Sequence, residues 1–111
     1  RRVLFRSTTA QITYAARNSD FDGFAINEGD YLALLDGKLF GTERDITSLL
    51  TRLAALAAER EAAFVTLFYG EGVSQEEAEA AQALFTEACP ETEVSLLSGG
   101  QPVYYYTISI E

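Results

Sequence analysis

Histidine and methionine are absent from the 111-residue sequence, which also contains only one cysteine and two prolines. The lack of histidine excludes nucleophile systems that use imidazole as the base, and it removes the commonest metal ligand of proteins. The single cysteine, Cys89, cannot form an internal disulfide. No apolar run reaches the roughly 20 residues of a membrane-spanning helix, and the N-terminus has no secretory signal. These absences predict a cytoplasmic globular domain without membrane insertion.

Basic side chains are scarce as well. The sequence has 8 lysines and arginines against 17 acidic residues, which gives a formal net charge of −9 at pH 7. A field of this sign repels phosphate backbones and anionic lipids. Nucleic acid and membrane surfaces are therefore disfavoured as partners, whereas a partner with a basic face would be accommodated.

The first seven residues, RRVLFRS, form a basic segment in an otherwise acidic chain. They resemble the translation of a common sequencing adapter. Residues 1–7 are therefore predicted to be a non-native leader, and residues 8–111 a single domain; an ordinary basic edge strand is the alternative for residues 3–5. Because a start methionine is also missing, we expect the native protein to continue upstream.

Hydrophobic periodicity predicts strands, a helix, a strand, a second helix and two final strands. Strands are expected from Thr9 and over residues 31–35, 39–40, 64–69, 93–97 and 103–110, with a turn over residues 18–23. The Asp36-Gly37 pair is a strong signal for a tight hairpin. Helices confined to one face of such a sheet give an α+β fold: two layers, with a mixed, mostly antiparallel sheet.

The two predicted helices have different start signals. The first begins between Thr42 and Asp45 and reaches about Ala62, whereas the second begins at Ser74 and stops before Pro90. Ser74 and Glu77 have the spacing of a capping box. The core stripe of the second helix is expected to contain Ala78, Ala81, Leu84, Phe85 and Ala88.

Local motifs for chemistry are incomplete. Glycines precede a helix N-terminus in residues 69–74 (YGEGVS), an arrangement that can bind phosphate. The segment lacks the third glycine and the lysine of known fingerprints, and Glu71 lies where an anion would bind, so a plain strand-to-helix turn is expected. Asp20 and Asp22 begin like a calcium loop, but Tyr31 occupies the position of the bidentate glutamate. No catalytic residue and no metal site are predicted.

The final strand carries adjacent tyrosines with different expected environments. Strand alternation places Tyr104, Tyr106 and Ile108 on one face and Tyr105 on the other. The first set is predicted to belong to the core. Tyr105 is then expected to face solvent or a partner.

Three segments carry a resemblance to a known family: ITYAARNSDFDGFAINEGDYLALLDGKL, VTLFYGEGVSQEEAEAAQALF and the closing GGQPVYYYTISIE. From Thr9 to Glu111 the sequence resembles the C-terminal region of the ATP-binding subunit of bacterial fatty-acid kinases, a dihydroxyacetone-kinase-like family. In that family an N-terminal domain holds ATP and magnesium. The DegV-like C-terminal region helps to engage a separate acyl-carrying, fatty-acid-binding protein, whose fatty acid is phosphorylated.

The resemblance implies that this chain is a non-catalytic, DegV-like C-terminal subdomain of a kinase involved in lipid metabolism. Its partners would be the acyl-carrying protein and the upstream domains of the parent chain. ATP and magnesium would be held upstream, with no cofactor in residues 8–111. Gln101, Pro102 and Tyr105 are the candidate partner-binding residues. The alternative is a stand-alone regulatory α+β domain that binds a small molecule.

Overall fold

The computed structural model describes residues 7–21 and 23–111, except for the side chain of Phe21. The predicted leader, apart from Ser7, lies outside the described residues, so its non-native origin stays a prediction. In the described part of the chain the elements are β1 (Thr8–Tyr14), β2 (Ser19–Phe21), β3 (Phe24–Ile26), β4 (Tyr31–Leu35), β5 (Lys38–Glu43), α1 (Ile46–Glu59), β6 (Phe64–Tyr69), α2 (Gln75–Ala88), β7 (Glu93–Ser98) and β8 (Tyr106–Ile110).

Six of these strands form one mixed sheet in the order β5-β4-β1-β8-β6-β7. Only the β6–β7 pair is parallel, and α2 is the crossover between these two strands. The other neighbours in the sheet are antiparallel. Helices α1 and α2 pack against each other and against the sheet. The predicted α+β class, with a mostly antiparallel sheet and two helices, is therefore confirmed.

The hairpin predicted at Asp36-Gly37 joins β4 and β5. Both residues have positive φ, 51° and 85°, as two-residue turns that match the strand twist require. The Asp36 carboxylate also accepts a hydrogen bond of 2.9 Å from the backbone N–H of Thr9. The hairpin is therefore tied to β1, the next strand of the sheet.

Side-chain caps fix the starts of both helices. Asp45 caps α1 and accepts from the N–H of Ser48 at 3.2 Å. In α2 the predicted capping box is present: Ser74 Oγ accepts from the Glu77 N–H at 3.1 Å, and Glu77 Oε1 accepts from the Ser74 N–H at 3.0 Å. Each helix has 14 residues. None in the described ranges is long and apolar enough to cross a membrane.

The main core lies between the helices and one face of the sheet. Its largest fully buried side chains are Ile12, Leu49, Leu53, Val65, Leu67, Phe85, Ile108 and Ile110. In the predicted stripe of α2, Ala78, Ala81 and Phe85 are buried and Leu84 is half-buried, but Ala88 is exposed. Ala88 is the last residue of α2, where the chain turns toward Cys89, and Cys89 takes the buried position instead.

The segment predicted as a turn, residues 18–23, overlaps a short hairpin formed by β2 and β3. Strands β2 and β3 pair antiparallel, with Ser19 opposite Ile26. Ile26 packs with Ala15 and Leu32 in a second hydrophobic cluster. Because Leu32 and Ala33 are neighbours in β4 and belong to different clusters, this second cluster lies on the sheet face opposite the helices.

Candidate functional site

A cavity of about 450 Å³ lies between the N-terminal halves of the two helices. Volumes of this size are typical of small-molecule sites. The lining combines apolar helix residues, tyrosines from the sheet side and a few polar groups. They are Tyr31, Ile46, Thr47, Leu50, Gly72, Val73, Glu77, Ala80, Ala81, Leu84, Tyr105 and Tyr106.

Aromatic rings form the sheet side of this cavity. The ring centroids of Tyr31 and Tyr105 are 5.7 Å apart, with the planes inclined at 59°. Tyr14 meets Tyr31 edge-on at 5.3 Å. Both separations fall within the range in which aromatic pairs attract. The cluster therefore holds Tyr31 and Tyr105 in place at the cavity wall.

Tyr106 forms the floor where the cavity meets the core. Its side chain is 3% exposed, and its hydroxyl donates a hydrogen bond of 3.4 Å to the carbonyl oxygen of Glu77. Burial, and then the negative charge of Glu77, raise the pKa of Tyr106 to about 12. The pKa of Tyr31 is raised as well. Burial is the largest cause, and electrostatic interactions with Tyr105, Tyr14, Glu77 and Asp45 follow in that order. Both phenols are thus neutral at physiological pH.

The prediction that Tyr105 points away from Tyr106 is wrong, whereas the burial of Tyr106 is confirmed. Strand β8 begins only at Tyr106, so strand alternation does not extend to Tyr105. The backbone N–H of Tyr105 donates to the carbonyl of Ile12, and its carbonyl accepts from Gly70, both at 2.8 Å. Held by these bonds, Tyr105 turns its ring to the same cavity as Tyr106.

The other two candidate partner-binding residues differ in accessibility. Pro102 is exposed, whereas Gln101 is half-buried. The Gln101 side-chain amide donates to the carbonyl of Phe68 at 3.0 Å, and the backbone carbonyl of Gln101 accepts from the N–H of Glu71 at 3.1 Å. Gln101 therefore anchors the loop, and Pro102 is presented at the surface. Whether either residue contacts a partner stays a prediction.

The loop before β8 is strained at Val103. This residue has φ 74°, which is rare for a β-branched side chain, and it is 74% exposed. The N–H of Tyr104 donates to the carbonyl of Pro102 at 2.8 Å, so the turn is a tight γ-turn centred on Val103. Thr13 Oγ1 donates to the Val103 carbonyl at 3.0 Å. Backbone strain of this kind persists only where the surrounding structure holds it in place. Strained residues of this type are concentrated at functional sites.

The glycines of residues 69–74 serve packing. A Cβ on Gly70 would collide with the carbonyl oxygen of Tyr104 and would lie 2.8 Å from that of Gln101. The N–H groups of Gly70, Glu71 and Val73 already donate to protein carbonyls. A phosphate cradle needs such N–H groups free, so the expected plain turn agrees with this geometry.

Neither a metal cluster nor a reactive thiol stands out. Within residues 7–21 and 23–111 no group of three or more potential ligands could hold a metal ion. Cys89 is only 4% exposed, and its thiol donates to the carbonyl of Ala54 at 3.5 Å. Burial raises the pKa of Cys89, although the hydrogen bond with Thr92 opposes that shift. A raised pKa makes the thiol less nucleophilic.

Charge is distributed unequally along the chain. Every charged side chain from Glu61 to Glu111 is a glutamate. Two arginines of the first half instead pair with acids: Arg44 lies 3.4 Å from Asp30, and Arg52 lies 2.9 Å from Glu43. The half built from β6, α2, β7 and β8 therefore has no basic side chain of its own to neutralise it.

Comparison with known proteins decides the family. The model of the FakA-like C-terminal family, which describes the C-terminal region of a fatty acid kinase subunit, matches residues 2–111. The chain belongs to this family. It is similar to the protein YloV of Bacillus subtilis (strain 168), with 36% identity over 103 residues, and to an uncharacterized protein of Staphylococcus aureus (strain USA300), with 26% identity over the same length. In both cases 93% of this chain aligns with 19% of the relative, so the chain spans about a fifth of their length.

Sequence reasoning missed the cavity itself. Its polar walls come from β4, α2 and the segment before β8, which are far apart in the sequence. In the sequence, Tyr31 is explained as a strand residue and Glu77 as a capping residue. Neither role indicates that both residues line the same cavity. The available signal was the run of three tyrosines at residues 104–106, two of which line the cavity.

Proposed function

We propose that this chain is a non-catalytic part of a fatty-acid kinase and helps to engage an acyl-carrying partner protein. The match to the C-terminal family of FakA-like fatty acid kinases over residues 2–111 is the observation that carries the proposal. ATP, magnesium and the phosphoryl-transfer step would then belong to other parts of the complete kinase.

The geometry supports a docking surface at the cavity end, defined here by the loops of residues 70–73 and 99–105 with the first turns of α1 and α2. This end presents Pro102 and the strained, exposed Val103. Glu71 and Glu76 are also exposed there. An apolar tip beside carboxylates suits a partner surface that combines an apolar recess with lysines or arginines.

Calorimetric titration of the 111-residue chain with a purified fatty-acid-binding carrier protein, loaded with fatty acid, tests the proposal. We expect binding that weakens as salt is added, because salt screens exposed charges. Val103→Ser should reduce the affinity about tenfold, which corresponds to about 1.4 kcal/mol.

Leu97→Ser is the matched control. Leu97 is 51% exposed and apolar, but it lies in edge strand β7, outside the cavity end. It should leave affinity unchanged. No binding of the unaltered chain, or a loss of affinity with Leu97→Ser and not with Val103→Ser, would contradict the proposal.

The cavity favours a second candidate function, a small-molecule-binding regulatory domain. Its volume and its mixture of apolar and hydroxyl-bearing residues fit a small ligand. The upstream reading frame of the gene discriminates between the candidates: a kinase nucleotide domain supports the first, and a nearby start codon supports the second.

A further inference from the structure

The cavity between the helices has a consistent electrostatic character. Glu77 lines it, and no lysine, arginine or other basic residue among the described part of the chain does. The capping bonds of the Glu77 carboxylate all use Oε1, so Oε2 takes no part in the capping box. Tyr31 experiences the negative charges of Glu77 and Asp45, since both contribute, after burial and the neighbouring tyrosines, to raising its pKa.

Two helix N-termini carry positive partial charge and oppose this negative field. The sign of the net charge at the cavity therefore depends on how these partial charges compare with the carboxylates. Each N-terminus is equivalent to roughly +0.5 elementary charge. A carboxylate with one full negative charge lies at each N-terminus: Asp45 at α1 and Glu77 at α2. The sum is about one negative charge at the cavity. The cavity therefore disfavours anions.

The rings supply the second element of cation recognition. Tyr31 and Tyr105 both line the cavity, with centroids 5.7 Å apart and planes inclined at 59°, so they form two adjoining walls. Aromatic walls attract an ammonium group within about 6 Å of the ring centre, most strongly when water is displaced. The opposite wall is apolar, with Leu50 and Leu84 from the helices.

We propose that this cavity binds an organic cation, with its ammonium group between Tyr31, Tyr105 and Glu77 and its apolar body between the two helices. The ligand class is an alkyl or aryl amine or quaternary ammonium compound that fits about 450 Å³. This site adjoins the carrier-docking surface, which shares Gly72, Val73 and Tyr105 with it, but amine binding can be tested without the carrier.

The test uses three probes of equal chain length: hexyltrimethylammonium, hexanol and hexanoate. Binding to the 111-residue chain is followed by NMR titration at millimolar probe concentrations. Saturable binding is expected for the ammonium probe only, with shifts concentrated at Tyr31 and Tyr105. If hexanol binds as tightly as the ammonium probe, the affinity depends on the apolar wall alone. Tighter binding of hexanoate would show that the helix N-termini prevail. Either result, or no saturable binding of the ammonium, overturns the proposal.

Matched variants separate the site from general charge and from folding. Tyr31→Leu, Tyr105→Leu and Glu77→Gln should each weaken ammonium binding about fivefold to tenfold. Glutamine keeps the capping box, and circular dichroism checks that each variant is folded. Tyr104→Leu and Glu76→Gln are the controls, because neither residue lines the cavity. Equal losses for Glu76→Gln and Glu77→Gln would contradict a specific site.

Discussion

The two ends of the helix layer are built differently. At the closed end, which comprises the C-termini of the helices with residues 60–63 and 89–92, the side chains of Arg60, Cys89 and Thr92 are hydrogen-bonded within the chain. Arg60 donates to Thr8 at 2.8 Å, and Thr92 donates to the carbonyl of Ala62 at 2.6 Å. Cys89 is buried there. The cavity end instead holds an open volume, two neutral tyrosines with raised pKa values and the strained turn at Val103.

This difference separates stability from binding. Close packing gives a side chain its full set of contacts, so the closed end and adjoining core hold the fold together. Residues at the cavity end make fewer of those contacts, because part of their surface faces the cavity. That surface is available to a ligand or partner. Mutations should therefore affect stability more on the packed side and binding more on the open side.

Truncation of two leucines of α1 tests this division with the largest expected effect. Leu53 and Leu50 are both buried, with 0% and 3% of their surface exposed, but Leu50, one turn earlier, also lines the cavity. Leucine-to-alanine changes in cores cost about 2–5 kcal/mol, and the cost depends on the space left behind. Leu53→Ala should lie near the top of this range and Leu50→Ala near the bottom, as measured by urea denaturation. Equal losses would mean that the two ends are equally packed.

Gly70→Ala should be destabilising by about 1–3 kcal/mol, because the added methyl group would overlap the backbone of the loop before β8. Gly72→Ala is the milder comparison, since its Cβ would meet only the Tyr105 ring, at 3.3 Å. Thermal unfolding of both variants measures the difference. A tolerated Gly70→Ala would show that the two loops of the cavity end are not in close contact.

Stability at high pH tests the burial of Tyr106. Its pKa of about 12 in the folded protein exceeds the value of about 10 for an unfolded tyrosine. The folded state therefore binds this proton more tightly, and the resulting stabilisation is complete below about pH 10 and lost as pH rises toward 12. Tyr106→Phe should reduce this alkaline decline in the urea midpoint. An unaltered decline would assign the effect to other groups.

Val103→Gly should give the smallest effect on stability. Glycine relieves a left-handed conformation that costs about 1–2 kcal/mol in other residues, but it adds about 0.5–1 kcal/mol of unfolded-state entropy. We expect a gain of at most about 1.5 kcal/mol, together with weaker carrier binding because the exposed side chain is lost. A loss of stability on denaturation would show that Val103 makes contacts the fold requires.

Local sequence patterns predicted most of the architecture. Asp36-Gly37, Ser74 and Glu77 act through neighbouring residues, so their signals are complete within a few positions of the chain. The short β2–β3 hairpin is not predicted, because each of its strands has only three residues and the turn-forming residues of NSDFDG overlap the first strand. The predicted direction of Tyr105 is wrong because β8 begins only at Tyr106, and the bonds that hold Tyr105 to Ile12 and Gly70 are long-range contacts that local sequence does not reveal.

Hydrogen exchange of the 111-residue chain, with and without the fatty-acid-loaded carrier protein, tests most directly the claim that the cavity end is the partner-binding surface. We predict slower exchange of backbone amides in residues 70–73 and 99–105 when the carrier is present, and unchanged exchange in residues 89–92 at the closed end. Slower exchange confined to residues 89–98, with no change in the two loops, would contradict this claim.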